Sequence, residues 1–182
     1  MNPPPERPAP PPELVEGPLV VLVGAPGSGK TTVGALLAAR WAVPFIDVDA
    51  IIEARAGKPV AEIFADDGEA VFRAVEEATT IELLALPGVL SLGGGAVMAA
   101  ATRTALQGRR VVWLQVSVSS SARRVGLSSA RPLLLGNVRG QLIKLLATRT
   151  PLYAEVATET VDTDAHDPAA VVEIIVGETA RG

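Results

Sequence analysis

The sequence predicts an α/β fold: a mostly parallel five-stranded sheet covered by helices on both faces. Two observations carry this expectation. From Pro18 onward, short β-branched apolar runs alternate with helical patterns, as in folds whose helices cover a central sheet. The composition is 48% hydrophobic but only 3% aromatic, an aliphatic balance suited to strands buried on both sides.

The elements follow in order. Leu19–Val23 (LVVLV) reads as a buried strand and Thr32–Trp41 as a helix. Phe45–Asp47 is a second strand, with Ala50–Ala56 helical after it. Pro59–Ala65 and Glu69–Leu86 have helical periodicity, the latter through Val71, Val75, Ala78 and Ile81. Val89–Leu92 is a strand ending in Gly93-Gly94-Gly95. A helix near Ala99–Leu106 and a strand at Arg110–Val116 follow, then a helix over Ser119–Val125 with Ser119 as its cap. Asn137–Arg149 is helical and should stop before Pro151. Glu159–Val161 is a short strand, and Pro168–Val176 is a closing helix with proline in its first turn. Residues 1–17 hold seven prolines in the first twelve positions and read as a disordered or polyproline-like tail. Residues 18–182 form one domain.

Several function classes drop out. A net charge of −4 and pI near 5.1 lack the basic character of a nucleic-acid binder. The chain has no cysteine, which removes disulfides and thiolate metal sites. No apolar run approaches the roughly 18–20 residues of a membrane span, so no membrane partner and a cytoplasmic location are expected. Thirteen of the 16 basic residues are arginines, whose planar forks suit carboxylates and phosphates.

Gly24-Ala-Pro-Gly-Ser-Gly-Lys30-Thr31 fits G-x-x-x-x-G-K-T between a strand and a helix, the context of a Walker A phosphate loop. Gly27, Ser28, Gly29, Lys30, Thr31 and Thr32 are therefore candidates for binding ATP. Lys30 suits the β- and γ-phosphates, and the Thr31 hydroxyl suits Mg²⁺. Asp47 and Asp49 lie at i and i+2 after the second strand, where alternation points side chains to one face. One suits the metal shell and the other an acceptor hydroxyl whose proton it can take; helix capping is the alternative for either. Arg73 reads by itself as a solvated arginine, and the triple glycine as either a packing turn or a place where backbone approaches a ligand closely.

The combination is more specific than its parts. Ile46-Asp-Val-Asp-Ala-Ile-Ile-Glu53, Ile63-Phe-Ala-Asp-Asp-Gly-Glu-Ala-Val-Phe-Arg73, Val75-Glu-Glu77, Leu90-Ser-Leu-Gly-Gly-Gly-Ala-Val97, Arg131-Pro-Leu-Leu134 and Arg149-Thr-Pro-Leu-Tyr153 occur in one order. Together with the phosphate loop they resemble the shikimate kinase family over about residues 18–176.

That resemblance implies a three-layer P-loop NTPase fold, nucleoside-monophosphate-kinase-like, with strand order 2-3-1-4-5. It implies transfer of the ATP γ-phosphoryl group, with Mg²⁺, to the 3-hydroxyl of shikimate in aromatic amino-acid biosynthesis, by a monomer. Asp47 and Thr31 then match the metal positions, and Asp49 the acceptor base. Arg73, Glu76, Gly94, Gly95 and Arg149 match the shikimate set. Arg124 and Pro168 fall where the family flanks adenine, and Arg131 matches the arginine of a mobile lid at about 126–137.

Two departures stand out. His166, the only histidine, replaces an arginine of the family beside adenine; it reads as solvated and implies looser adenine contacts. The lid segment Leu127-Ser-Ser-Ala130 lacks the family's glycines. Two rivals are another small-molecule kinase, such as a gluconate kinase, and an inactive nucleotide-binding regulator. The D-x-D, F-R and R-x-P-L-Y runs oppose the first; Lys30, Asp49 and Arg131 oppose the second.

Overall fold

The structure is a computed structural model describing residues 17–128 and 138–179. Five parallel strands form one sheet in the order β2-β3-β1-β4-β5, as the resemblance implied. In chain order the elements are β1 (Val20–Val23), α1 (Lys30–Trp41), β2 (Phe45–Asp47), α2 (Val48–Ala56), α3 (Val60–Asp67), α4 (Glu69–Leu83) and β3 (Val89–Ser91). A 3-10 turn (Ala96–Met98), α5 (Ala100–Ala105), β4 (Val111–Gln115), α6 (Val118–Ser128), α7 (Val138–Val156), β5 (Glu159–Asp162) and α8 (Pro168–Thr179) complete the fold.

Strand alternation divides the core into two layers. Val21 and Val23 of β1, with Leu90 and Val111, pack under α2 to α5 and α7 through Ile52, Ile63, Phe72, Leu106 and Tyr153. Val20 and Leu22, with Val89, Val112, Leu114 and Val161, pack under α1 and α8 through Val33, Leu37, Trp41, Val171 and Ile175. All four residues of β1 are buried, as the centre of a doubly covered parallel sheet requires.

Four local expectations are corrected. First, α2 begins at Val48, so Asp49 lies in a helical first turn and not at the end of a strand. The cause is Asp47, whose Oδ1 accepts the Asp49 and Ala50 N–H groups at 3.1 and 3.4 Å and starts the helix early. Second, the apolar stripe of α4 faces outward: Val71, Val75 and Ile81 are 50%, 40% and 43% exposed. Its buried face instead carries Phe72, Glu76, Thr79, Thr80 and Leu83. The helix is turned so that Phe72 and Leu83 reach the core while Arg73 and Glu76 reach the sheet edge.

Third, α7 does not stop before Pro151 but runs through it to Val156. Proline removes one donor and crowds the preceding turn. Tertiary anchors hold the segment beyond it: Tyr153 donates to Gly94 O at 2.5 Å, and Arg103 Nε donates to Glu155 at 3.1 Å. Fourth, α6 is capped by Ser117, whose Oγ accepts the Ser120 N–H at 3.2 Å, and not by Ser119. The remaining boundaries shift by a few residues. Gly17 belongs with the domain, buried against Leu84 and Arg109. Residues 1–16, and the expected lid from residue 129 with Arg131, lie outside the described residues.

Gly34 shows how tightly α1 meets the sheet. A Cβ there would stand about 3.0 Å or less from ring atoms of Phe45 on β2, closer than ordinary carbon contacts. A mid-helix glycine costs roughly 1 kcal/mol relative to alanine, and ring packing accounts for its presence. We predict that Gly34→Val destabilises the protein by about 1–3 kcal/mol in urea unfolding. Adding Phe45→Ala should recover part of that loss; strict additivity of the two changes would show that they do not meet.

Candidate active site

Both halves of the site form where strands give way to loops at the carboxyl edge of the sheet. After β1 the chain turns through Gly24, Gly27 and Gly29, each with positive φ (151°, 74° and 92°), which glycine adopts without a side-chain penalty. α1 starts at Lys30 with no side-chain cap. Its first N–H groups are thus left for an anion at the positive end of the helix dipole.

Lys30 Nζ donates to the loop's own carbonyls, Gly24 O at 2.8 Å and Ala25 O at 3.2 Å. Burial pulls its pKa down to about 8, against the attraction of Asp49 and Asp47. Thr31 Oγ1 donates to Asp47 Oδ2 at 3.1 Å. Asp47 therefore divides its carboxylate, one oxygen starting α2 and the other holding the phosphate-loop threonine. The capping reading of the sequence applies to Asp47, and its second oxygen meets the phosphate-loop threonine.

On the outer side of the loop, Arg124 Nη1 donates to Gly27 O at 3.0 Å and Nη2 to Thr163 O at 2.8 Å. Ser121 Oγ donates to Pro26 O at 2.7 Å. A cavity of about 260 Å³ opens here, lined by Ser28, Gly29, Thr32, Arg124, His166 and Pro168 among others. Arg124 and Pro168, which the resemblance sets beside adenine, both line this cavity. His166, which the sequence left as a solvated residue, forms part of the same wall. Thr163 has no motif to announce it: it accepts from Arg124 at 3.2 Å and donates to Gln115 O at 2.9 Å.

The other half surrounds Gly93, Gly94 and Gly95 after β3. A Cβ on Gly93 would strike Glu76 Oε1 and stand 2.7 Å from Asp49 Oδ1. A Cβ on Gly94 would lie 3.3 Å from Pro26 Cδ and 3.5 Å from Arg149 Nη1, and one on Gly95 would strike Arg73 Nη1. Asp49, Glu76, Arg73 and Arg149, from three different helices, thus converge on one glycine turn that touches the phosphate loop. Only residues without side chains leave room for this convergence.

Arg73 is not a solvated surface arginine. Its side chain is 27% exposed and donates to the buried Glu76 at 2.5 Å. Its guanidinium lies 5.6 and 5.3 Å from the ring centres of Phe64 and Phe72, within cation–π range. A larger cavity, about 490 Å³, adjoins Arg73, Glu76, Gly95 and Met98. Burial, then repulsion from Asp47 and Glu76, pushes the Asp49 pKa up to about 6 despite nearby Lys30. Asp49 is thereby a carboxylate that takes a proton more readily than usual.

Among the described residues, no cluster of three or more acidic, histidine or cysteine side chains forms a cage for a metal. Thr31 Oγ1 and Asp47 Oδ2 form a pair of hard oxygens beside the phosphate loop. No described helix is long and apolar enough to cross a membrane.

Known proteins share both sequence and geometry. The shikimate kinase family model matches residues 26–180. The shikimate kinase of Thermobifida fusca is 53% identical over 162 residues, covering 88% of this chain and 94% of that protein. A solved shikimate kinase from Acinetobacter baumannii, in complex with shikimate, superposes with a TM-score of 0.76 at 36% identity, covering 89% of this chain and 94% of that one. The enzyme from Bacteroides thetaiotaomicron gives 0.80 at 31% identity, with coverage of 88% and 97%. A phosphate loop closed against a glycine turn ringed by two arginines and two carboxylates, with this similarity across nearly its whole length, means that the chain belongs to the shikimate kinase family.

Proposed function

We propose that this chain transfers the γ-phosphoryl group of ATP to the 3-hydroxyl of shikimate through the residues just described. The observation that carries the assignment is the convergence of Asp49, Glu76, Arg73 and Arg149 on Gly93–Gly95, directly against Pro26 of the phosphate loop. A carboxylated, polyhydroxylated acceptor asks for this set: cationic forks for its carboxylate and a basic oxygen for a hydroxyl.

The phosphates lie on the N–H groups of Gly27 to Thr32, and Lys30 turns from its loop carbonyls to meet them. Arg124, Pro168 and the His166 wall flank the base. Thr31 and Asp47 fit Mg²⁺, which takes few protein ligands and fills its remaining positions with phosphate oxygens and water. When bound, the ion neutralises charge on the phosphates. Arg73 and Arg149 hold the acceptor carboxylate, while Glu76 fixes the Arg73 fork. Asp49 accepts the hydroxyl proton as the hydroxyl oxygen bonds to the γ-phosphorus and the bond to the ADP oxygen breaks. Arg131, outside the described residues, is the further cation that the resemblance assigns to the phosphates. The protein acts as a cytoplasmic monomer.

Coupled measurement of ADP release tests the whole reading. Release should depend on shikimate and fail with gluconate; shikimate-independent release alone would sink the assignment. For the base, Asp49→Asn should retain ATP binding and lose roughly 10²–10⁴-fold in turnover. Asp49 must be ionised to accept a proton, so kcat/KM of the wild type should fall as pH drops through about 6.

The same raised pKa has a sign for stability. Its contribution is present below the ordinary carboxylate range and lost as pH rises through about 6. Asp49→Asn removes that loss, so its thermal midpoint should exceed the wild type's at neutral pH, with the gap closing towards roughly pH 4. A destabilised variant at pH 7 would mean that Asp49 serves the fold.

For the acceptor, Arg149→Lys keeps charge but loses the two-pronged donor geometry. We predict at least about tenfold weaker shikimate binding, or about 1.4 kcal/mol, with ATP affinity unchanged. With an analogue whose carboxylate is a neutral amide, the same substitution should matter far less. Losses that simply add, without coupling, would remove Arg149 from the carboxylate.

A further inference from the structure

The only tyrosine of the chain, Tyr153, stands one helical turn beyond Arg149 on α7, at a spacing that places both on one face. It is 1% exposed and packs its ring on Trp113, with centroids 6.0 Å apart. Its hydroxyl donates to Gly94 O at 2.5 Å. A Cβ on Gly94 would meet both Pro26 and Arg149, so this glycine lies where the arginine of α7 and the phosphate loop come together.

The Gly94 carbonyl shares a peptide plane with the Gly95 N–H. The described residues hold no cis peptide, so these two groups point in opposite directions. A hydroxyl that fixes the carbonyl towards α7 therefore aims the N–H away from α7. Gly95 is buried. Among the described residues its N–H reaches no acceptor, while the neighbouring Ala96 and Met98 N–H groups bond to Gly93 O and Gly95 O. Gly95 lines the cavity beside Arg73 and Glu76, so an oriented donor with no protein partner there points to a ligand atom as its partner.

We infer that Tyr153 is a positioning residue, whose hydroxyl sets the Gly94–Gly95 peptide so that the Gly95 N–H donates to an oxygen of the acceptor. The inference rests on the acceptor reading above and deepens it. Pro151 between Arg149 and Tyr153 contributes as well. With one helical donor missing, the end of α7 is held by its tertiary contacts, and the hydroxyl bond is one of them.

Tyr153→Phe tests this in the full-length protein, because the ring and its Trp113 contact remain while the hydroxyl goes, with its bond to Gly94 and its contact with Arg149. Shikimate KM should rise about five- to tenfold, the worth of one hydrogen bond, while ATP KM stays within about twofold. Unchanged constants would overturn the inference, as would both KM values rising together, since a purely structural role moves both. If Tyr153→Phe does not fold, the ¹⁵N-labelled wild type decides: the Gly95 amide resonance should shift on saturation with shikimate, and a static resonance overturns the inference. A wild type inactive towards shikimate brings down the functional reading and this inference together. An active wild type with an insensitive variant brings down only the latter.

Discussion

Phosphoryl transfer needs the attacking oxygen and the phosphorus brought together, at about 3–3.5 Å in a near-attack arrangement. In this molecule that closeness depends on the pairing of two neighbouring strands. β1 and β3 run parallel with Val21 opposite Leu90 and Leu22 opposite Ser91. The Leu92 N–H continues the ladder to Leu22 O at 3.0 Å. Both strands therefore end at one height, and the phosphate loop and the triple-glycine turn leave them side by side. The gap is set by atoms that are missing, because a side chain on Gly94 would press on Pro26 and Arg149. Most other features of the site serve to load these two turns with charge.

That loading is unfavourable for the fold taken alone. Asp49, Glu76, Asp47 and Lys30 crowd into a poorly hydrated edge, and burial is the leading cause of the shifts of both Asp49 and Lys30. Ionised groups out of water need partners, and the structure supplies them unevenly. Glu76 has the Arg73 fork and Asp47 has Thr31 and the α2 backbone. Asp49 has nearby charge but, among the described residues, no hydrogen bond to its carboxylate. The remote end of the sheet is treated differently. There Arg110 binds Glu159 through two bonds of 2.6 and 2.9 Å and also reaches Ile175 O, a closed arrangement that joins β4, β5 and α8.

Much of this was legible in the residues. A phosphate loop carries its own punctuation, and short aliphatic strands between helices leave few alternatives to a parallel sheet. The D-x-D and triple-glycine runs marked the correct edge. What failed were inferences that treated each segment as isolated. Strand alternation misplaces Asp49, because the capping carboxylate of Asp47 has already begun a helix. The apolar spacing of α4 points to the wrong face, because Phe72 and Leu83 dock in the core and carry Glu76 and Arg73 to the sheet edge; hydrophobic periodicity does not register such a buried ion pair. Pro151 was read as a stop, and only contacts across the fold hold α7 together beyond it. Thr163 and the His166 wall come from loops whose neighbours are set by tertiary structure. Arg131 and the lid lie outside the described residues.

The stacked pair of Trp113 and Tyr153 has a use apart from catalysis. The chain holds two indoles, and they occupy different layers: Trp41 lies in the core beneath α1 and α8, Trp113 in the layer that meets α7. Through the Tyr153 ring, Trp113 is two contacts from Gly94. The protein thus contains a native optical reporter beside the acceptor turn and a second one screened from it by the sheet. Replacing Trp41 would leave emission from a single position, so events at the glycine turn can be followed without attaching a dye.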